Sequence, residues 1–503
     1  MKKKSLLIIC LVMVFGLSLG VSSGKAAAEI KPFKGLADIP EIKNKRPIHI
    51  SLEAGGGAEI QLKYIKKFSE KTGVPVTHEL MLMSVVYPKV MPELVAGTGA
   101  YDSTVVETTW TNEWSPYLYS IDELAAKYDP AGVEGWKLDA EGIGTTMRRC
   151  ASDRFGVQYG MPYYTYDEFL FVREDITNHP TEKANFKAKY GYELRIPETW
   201  KEVMAQAEFF TRKKGENLKG EPLKHDFYGF SAMAGNFAHV HDEYPSILWG
   251  MGGNYQTVVK EKPFGDVIEY VWEKKNVELM IKAGEFYRKL VLDYSSPGCK
   301  TGFWDYNTSQ IAEGYAYMMD NYIPLDQWAF TVEEKVPGAR LVIAPLPEAP
   351  YVNRGYPGNF YQSVTKASKN PEAAFWLMRY MGSYEFQKEA GEEGWASIRS
   401  DVYKEPQYKL PEWRTKIGAR GEMLLRNWSE WSTPEVVDNY FHFNSKAAGR
   451  MYEMHILPLH QMATGMISVK DAVKWIITET ITLEEKFGDR PIRVEEGVWD
   501  LLK

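Results

Sequence analysis

Cysteine is scarce in this chain of 503 residues, which contains only three. Cys10 lies inside the N-terminal apolar segment, so Cys150 and Cys299 are the two that remain in the rest of the chain. At most one disulfide can therefore form between them. The sequence leaves open whether these two residues pair in an oxidising compartment or stay as separate buried thiols.

Dense runs of lysine and arginine are also absent after the first 28 residues. The formal net charge is −7, and removal of residues 1–28, which contain four lysines and no acidic residue, makes it −11. A surface that binds nucleic acid needs clustered positive charge to displace counterions from the phosphates. The composition therefore disfavours polyanionic partners and predicts no binding to nucleic acid.

Apolar runs long enough to suggest a membrane are absent beyond the N-terminus. There, the basic residues Lys2–Lys4 precede an apolar run at Leu6–Val21, and the small residues Ala26–Ala28 follow it. This three-part pattern is typical of a cleavable secretory signal, predicted here for residues 1–28. An uncleaved membrane anchor is the alternative, but the run is shorter than the roughly 20 residues that a spanning helix needs.

A lipid anchor is not expected either. A lipoprotein signal places a cysteine after a small residue at the end of the apolar run, whereas Cys10 follows Ile9 in the middle of it. An exported protein without an anchor is retained only behind an outer barrier. The sequence therefore favours the periplasm of a double-membrane bacterium.

The motifs of common catalytic and metal sites are missing as well. No Gly-x-Ser-x-Gly occurs, and Gly55–Gly57 is not followed by Gly-Lys-Ser/Thr, which argues against a nucleotide site. His455 and His460 lack the i, i+4 spacing of a zincin. His239 and His241 are two residues apart and would share one face of a strand, but no further metal ligand is evident nearby. We therefore predict no catalytic residue, metal or cofactor.

Aromatic residues, by contrast, are abundant: 31 Tyr, 22 Phe and 15 Trp make up 14% of the chain. A core alone does not require this many, so some of them are expected to face a ligand. The 44% of hydrophobic and 25% of charged residues are typical of a soluble globular protein. The length predicts two or three folding units and fits a two-lobed body.

Strand and helix patterns alternate near the start of the predicted mature chain. Ile48–Leu52 alternates as a strand and, after three glycines, Glu59–Thr72 is amphipathic. The order strand, helix, strand repeats up to Ser103–Val106, which predicts a parallel α/β sheet. Ligands bind such sheets beyond the carboxyl ends of the strands, and Trp110 lies just past one such end.

A second α/β unit follows. Phe169–Val172 is a predicted strand, Thr199 is a plausible N-cap for a helix, and Asn276–Leu290 is amphipathic. Ala339–Leu346 predicts another strand, and the chain from Pro371 onward is mainly helical in pattern. No internal repeat or low-complexity segment interrupts these units.

Several short blocks occur in the order and approximate spacing of a known family. They are Tyr159-Gly-Met-Pro-Tyr, Pro197-Glu-Thr-Trp-Lys-Glu-Val, Tyr228-Gly-Phe followed by Gly250-Met-Gly-Gly, Pro345-Leu-Pro, Ala367-Ser-Lys-Asn-Pro-Glu-Ala-Ala and Gly394-Trp-Ala-Ser-Ile-Arg. In this order they resemble the family 1 extracellular solute-binding proteins, which include the maltose and other sugar receptors of ABC importers. The segment Phe186–Leu194 is similar to a long-chain subgroup with glycerol and sugar receptors.

The resemblance implies an α/β periplasmic binding protein fold of two lobes that hinge closed over a ligand, with a helical C-terminal region. Chain crossings between the lobes are expected near Tyr163, Ile311 and Asn359. The expected boundaries are 29–162 and 311–354 for lobe one, and 163–310 and 355–503 for lobe two. The resemblance also implies a carbohydrate or polyol ligand, the membrane permease subunits of an ABC importer as partners, and a monomeric receptor.

A neutral sugar or polyol presents apolar C–H faces and hydroxyl groups, which suit aromatic platforms and planar polar side chains. The aromatic candidates lie at or beside turns that the family places near its cleft: Trp110, Tyr163, Tyr164, Tyr166, Trp249, Tyr322, Trp328, Phe360 and Trp395. The polar candidates are Glu53, Asp167, Asp320 and Asn359, with Glu107 and Asn321 as further members. Ordinary packing, caps or turns are the alternative for each single residue. As a set, three or four of the aromatic residues are expected to contact ligand.

A secreted carbohydrate-active enzyme is the main alternative, because paired carboxylates and aromatic platforms also build a glycosidase cleft. No carboxylate pair in the sequence can be singled out at a spacing that predicts catalytic geometry. A structural or adhesive surface protein is a third class, but repeats and a cell-wall tail are missing. We therefore predict a receptor without enzymatic activity, whose ligand the sequence does not identify.

Overall fold

The computed structural model describes residues 30–55, 57–261, 266–347, 357–409, 424, 428 and 445–503. The predicted signal at residues 1–28 lies outside these ranges. No helix within them combines the length and the apolar character that a membrane crossing needs.

Strands and helices alternate along most of the described chain. The strands are β1 (Ile48–Glu53), β2 (Val76–Met81), β3 (Ser103–Glu107), β4 (Met161–Arg173), β5 (Asn217–Leu218), β6 (Glu221–Pro222), β7 (Thr257–Lys260), β8 (Val267–Trp272), β9 (Met318–Tyr322), β10 (Leu341–Ala344), β11 (Pro357–Val364) and β12 (Ile492–Val494). The helices are α1 (Ala58–Thr72), α2 (Met83–Ala96), α3 (Thr111–Trp114), α4 (Ile121–Tyr128), α5 (Gly132–Ala140), α6 (Thr145–Cys150), α7 (Glu174–Thr177), α8 (Pro180–Tyr190), α9 (Trp200–Phe210), α10 (Val240–Gly250), α11 (Lys274–Asp293), α12 (Trp304–Ala312), α13 (Asp326–Phe330), α14 (Val332–Lys335), α15 (Pro371–Met381), α16 (Tyr384–Glu392), α17 (Ala448–Ala463), α18 (Val469–Phe487) and α19 (Val498–Leu501).

The main sheet begins with the parallel arrangement that the sequence predicts. β1 is the parallel neighbour of both β2 and β3. Ile48, Ile50 and Leu52 alternate along β1 and are fully buried, so this face of the strand belongs to the core. β11 lies antiparallel between β3 and β4, and β9 and β10 add to the other part of β4.

The 13-residue strand β4 pairs with two different sets of neighbours. Its first half pairs with β11, where Tyr164 lies opposite Phe360. Its second half pairs with β9 and β10, and Glu168 there lies opposite Tyr322. The chain thus passes from one part of the sheet to the other within a continuous strand, close to the crossing predicted near Tyr163.

Two large hydrophobic clusters hold these parts together. The first surrounds β1–β3, α1 and α15 and includes Ile50, Phe68 and Trp376. The second includes Tyr244 of α10 and Ile476 of α18. Helices α17 and α18 therefore return from the end of the chain to pack on α10 and α11.

Strand pairing distributes two segments differently from the predicted lobe boundaries. β9 and β10 belong to the segment 311–354, expected in lobe one, but they pair with the second half of β4. β11 belongs to the segment 355–503, expected in lobe two, but it pairs with β3. Apolar alternation identifies such strands, but it does not tell to which side of a crossing each strand returns.

A buried ionic cluster joins helices of the first core. Arg379 of α15 is fully buried, binds Asp129, and lies 3.5 Å from Asp139. The Arg399 guanidinium donates to the same Asp139 carboxylate at 3.0 Å. Asp139 therefore lies between two buried positive charges.

We expect Asp139→Ala to lower the free energy of unfolding by about 3–5 kcal/mol, because it leaves two buried guanidinium groups without their shared carboxylate. Urea denaturation measures this change. Glu134→Ala is the control on the same helix, since Glu134 forms only an exposed pair with Lys137, and its effect should stay below about 1 kcal/mol. Equal effects of the two substitutions would contradict the role assigned to Asp139.

Candidate ligand-binding site

Five aromatic rings form a continuous row where the two parts of the sheet meet. The ring centroid of Trp395 lies 4.3 Å from that of Tyr164, and the Tyr164 centroid lies 5.0 Å from that of Tyr166. Tyr166 in turn lies 4.7 Å from Phe360 and 6.0 Å from Tyr322. We call these five residues the aromatic row. All five are among the candidates predicted from the sequence.

The local backbone fixes the Trp395 end of the row. The Trp395 indole N–H donates at 2.7 Å to the carbonyl oxygen of Tyr163. A Cβ atom on Gly57 would lie 2.7 Å from the Trp395 ring, so the glycine turn after β1 makes room for the indole. Gly394 has a φ of +104°, a conformation that glycine adopts most readily, and it directly precedes Trp395.

Glu53 supplies a carboxyl group beside the centre of the row. It is the last residue of β1, and its carboxylate accepts a hydrogen bond from the Tyr166 hydroxyl. Burial raises the pKa of Glu53 to about 7, against a smaller opposing effect of the Tyr166 hydrogen bond. Near neutral pH this group is therefore able to accept hydrogen bonds or, when protonated, to donate one.

Asp242 supplies a second carboxyl group at the Tyr322 end of the row. The Tyr322 hydroxyl donates to one Asp242 oxygen at 2.6 Å, and the Tyr452 hydroxyl donates to the other at 3.1 Å. Asp242 lies in the first turn of α10 and is buried. Burial, followed by the negative charge of Glu168, raises the pKa of Asp242 well above its usual range.

Asp242 belongs to a larger group of buried carboxyl groups, Glu168, Asp242, Glu243 and Asp320, which we call the carboxylate cluster. Glu168 accepts a hydrogen bond from the Ser246 hydroxyl at 2.6 Å. Asp320 is 0% exposed, and neither of its carboxylate oxygens has a hydrogen-bond partner among the described residues. Burial, and then the charges of the other three members, raise the pKa of Asp320 well above its usual range.

Three more predicted residues lie next to the row. The Tyr163 ring is stacked 6.1 Å from Trp395 and is buried. Trp249 packs in a small apolar cluster with Tyr322, and its indole N–H donates to Asn254 at 3.2 Å. Asp167 is buried on β4 and accepts a hydrogen bond from the Thr165 hydroxyl at 2.6 Å.

For the two remaining predicted aromatic residues, the described part of the structure shows no ring contact with the row. Trp110 is buried in the first core, with its ring 5.0 Å from that of Trp114. Trp328 on α13 is 38% exposed. The backbone of Asn359 pairs opposite Thr165, and its side chain lies outside the described part of the structure.

The two further polar candidates have local roles. Glu107 accepts a hydrogen bond from the backbone N–H of Thr109 at 2.6 Å, which is an N-cap contact. Asn321 donates to the Thr308 hydroxyl at 2.9 Å. The Glu107 contact is thus one of the cap roles weighed for such residues, whereas the Asn321 contact joins β9 to α12.

The histidine pair is arranged differently from the strand that the sequence suggested. His239 and His241 lie at the start of α10, and burial lowers the pKa of each to about 3. His241 Nε2 lies 3.3 Å from Nδ1 of His455. Within the described ranges, no group of three or more His, Cys, Asp or Glu residues is placed to hold a metal ion.

The two cysteines do not form a disulfide. Cys150 is buried beside Trp249 and Met233, whereas Cys299 is buried in the second hydrophobic cluster. The interpretation as two buried thiols is therefore correct.

Four residues of the site were missed by the sequence analysis: Asp242, Tyr452, and Glu168 and Glu243 of the carboxylate cluster. Asp242 falls in the segment His239-Val-His-Asp, which drew attention for its histidines rather than for the aspartate. Tyr452 lies on a helix 210 residues further along the chain, and no local pattern connects it with Asp242. Only the tertiary packing of α17 on α10 brings them together.

The raised pKa of Glu53 predicts a pH-dependent stability. The pKa of Glu53 is about 7 in the folded state and 4.5 ordinarily, so between pH 4.5 and pH 7 the folded state binds more protons than the unfolded state. The free energy of unfolding therefore falls as the pH rises from 4.5 to 7. Relative to wild type, Glu53→Gln should therefore gain about 3 kcal/mol of unfolding free energy between pH 4.5 and pH 7.5. Denaturant unfolding of both proteins at both pH values measures it. A stability difference that does not change with pH would contradict the prediction.

A family model for a bacterial extracellular solute-binding protein matches residues 63–415, which is more than half of the 503 residues. A comparison with curated protein sequences gives no match.

Solved structures with the same fold cover nearly the whole described chain. Maltose-bound MalE3 of T. maritima has a TM-score of 0.63 at 19% identity, over 87% of this chain and 100% of the other. The ABC transporter solute-binding protein of Agrobacterium vitis S4 with bound D-mannitol has a TM-score of 0.65 at 17% identity, over 88% and 99%. That of Agrobacterium radiobacter K84 in complex with ribitol has a TM-score of 0.66 at 16% identity, over 88% and 100%.

These likenesses confirm the predicted two-lobed α/β fold of periplasmic binding proteins. The family model adds a match to the sequence itself over residues 63–415. The chain therefore belongs to the family of bacterial extracellular solute-binding proteins.

Proposed function

We propose that this protein is a periplasmic receptor that captures a carbohydrate or polyol between its two lobes and delivers it unaltered to the permease subunits of an ABC importer. The observation that carries the proposal is the aromatic row, which has one carboxyl group beside its centre and another at its Tyr322 end. Glu53 binds the Tyr166 hydroxyl and Asp242 binds the Tyr322 hydroxyl.

The chemistry of this arrangement suits a sugar or polyol. The C–H faces of such a ligand stack on aromatic rings, and its hydroxyl groups exchange hydrogen bonds with carboxyl and phenol groups. Tyrosine combines both properties in one side chain, and the row contains Tyr164, Tyr166 and Tyr322. The structural neighbours support this ligand class, since their names record maltose, D-mannitol and ribitol.

The strand pairing suggests how the lobes divide. We assign residues 30–167 and 357–409 to one lobe, and residues 168–347 and 445–503 to the other. Contacts between these two parts are direct: Arg450 lies 2.6 Å from Glu113, and Arg154 donates to Asp489 at 2.8 Å. Such contacts favour a closed state, and a ligand that binds both lobes shifts the equilibrium further towards closure.

Family membership supports export, and residues 1–28 have the pattern of a cleavable signal. We therefore place the mature protein in the periplasm, as a monomer. Its partners are the ligand and the membrane subunits of the importer. Its negative net charge disfavours nucleic acid as a partner.

A ligand panel tests this function. We expect one or more of maltose, D-mannitol, ribitol and glycerol to stabilise the purified protein, by about 2.7 kcal/mol at 100 times the dissociation constant. Thermal unfolding measures the effect, and chromatography of the recovered ligand should show it unchanged. Conversion of the ligand into product would favour the glycosidase alternative, and absence of stabilisation by the panel would count against a sugar or polyol receptor.

Tyr164→Ala tests the aromatic row. Tyr164 contacts both Trp395 and Tyr166, so its removal interrupts the row and should weaken binding of the best ligand in the panel about ten-fold, or about 1.4 kcal/mol. Isothermal titration calorimetry measures the affinity, and melting without ligand reports folding separately. Trp499→Ala, which removes a 40% exposed ring on α19, is the matched control and should bind as wild type. Unchanged affinity in Tyr164→Ala would remove the row from the binding site.

A further inference from the structure

Side-chain alternation connects the aromatic row directly with the carboxylate cluster. Tyr164, Tyr166 and Glu168 occupy alternate positions of β4 and therefore share one face of the sheet. Tyr322 lies opposite Glu168 on β9, and Asp320, two residues before Tyr322, shares its face. The row and the cluster are thus neighbouring parts of one surface.

Three members of this cluster, Asp242, Glu243 and Asp320, are buried carboxyl groups that lie close to one another and to Glu168. The side-chain charges that act on Asp242, Glu243 and Asp320 come from other carboxyl groups, Glu168 in every case. In the ranges that the structure describes, none of these three forms an ion pair with lysine or arginine. Elsewhere the chain does pair its buried acids, as Arg399 and Asp139 do.

An unbalanced buried carboxylate is unfavourable, because the charge loses its hydration and gains nothing in return, and the raised pKa values of Asp242 and Asp320 reflect this cost by favouring the protonated form. A positive charge placed beside these groups would favour the ionised form instead. A neutral polyol would offer hydroxyl groups to Asp320 but no charge. A protonated amine would offer both N–H donors and a positive charge. The neighbouring aromatic rings favour the same choice, because their negative faces attract cations.

We propose that the ligand carries a protonated amino group, as in an amino sugar or an aminated polyol. The ammonium group binds beside Asp320 and Asp242, and the carbon skeleton stacks on the aromatic row. This inference rests on the proposed function and narrows the class of its ligand.

Matched pairs of compounds test the proposal on the wild-type protein. D-glucosamine is compared with D-glucose, and 1-amino-1-deoxy-D-glucitol with D-glucitol, by calorimetry at pH 7 and low ionic strength. We expect the aminated member of at least one pair to bind ten-fold or more tightly than its neutral partner. Raising the ionic strength should reduce this preference, because it rests on charge.

Asp320→Asn tests the residue assigned to the ammonium group. The substitution prevents ionisation and keeps the shape, so we expect the ratio of the affinity for the aminated compound to that for its neutral partner to fall at least five-fold. Glu484→Gln is the matched control, because Glu484 is also buried with a raised pKa but is hydrogen-bonded to Ser445, away from the cluster. It should keep the wild-type preference.

The possible outcomes distinguish a failure of the amine preference from a failure of the proposed receptor function. Equal or tighter binding of the neutral members would overturn the inference and leave the sugar or polyol receptor intact. Stabilisation by Ca²⁺ or Mg²⁺ alone, with no preference for an amine, would also overturn it in favour of a metal site. Binding of no compound from either panel would count against the proposed function itself. Because the wild-type comparison needs no variant, the test stands even if Asp320→Asn does not fold.

Discussion

Strand β4 is a single extended backbone that pairs with β11 in its first half and with β9 and β10 in its second. The two sets of neighbouring strands are therefore held in a fixed position relative to each other along β4. Its alternation fixes which side chains face the same way across the junction. Tyr164 and Tyr166 come before the change of neighbours and Glu168 comes directly after it. The aromatic row and the carboxylate cluster therefore owe their closeness to the period of the strand rather than to any loop. A shift of the register by one residue would turn both to the opposite face.

The polar contacts of the site follow from the positions of the tyrosine hydroxyl groups. Tyr166 reaches Glu53 at the end of β1, and Tyr322 reaches Asp242 at the start of α10. Each phenol presents an apolar ring to the row and a hydroxyl group to a carboxyl group, so the row has hydrogen-bonding groups both at its central ring, Tyr166, and at its end ring, Tyr322. Burial keeps the pKa of both carboxyl groups above their ordinary values. A ligand that supplies donors or positive charge at these edges relieves a cost that the free protein bears.

The sequence was informative where a local pattern determines the structure. The strand at Ile48–Leu52, its glycine turn and the helix after it follow from alternation and amphipathicity, and the aromatic residues beside turns on β4, β9 and β11 form the row. It was less informative where the outcome depends on which distant segment returns to which sheet. The division of residues 311–354 and 355–503 between the lobes could not be read from periodicity, and the contact of Asp242 with Tyr452 joins segments 210 residues apart.

The surroundings of Trp110 also depend on a distant segment of the chain. The position of Trp110 past the carboxyl end of β3 makes it a predicted ligand contact, and Gly449 of α17 lies against it, where a Cβ atom would come 3.1 Å from the indole. The same helix contributes Arg450 to the pair with Glu113 and Tyr452 to Asp242. Helix α17 thus contacts the end of β3 and the carboxylate cluster at once. On the proposed division, movement of one lobe relative to the other alters the contacts of Gly449 with Trp110 and of Arg450 with Glu113, whereas the contact of Tyr452 with Asp242 stays within one lobe.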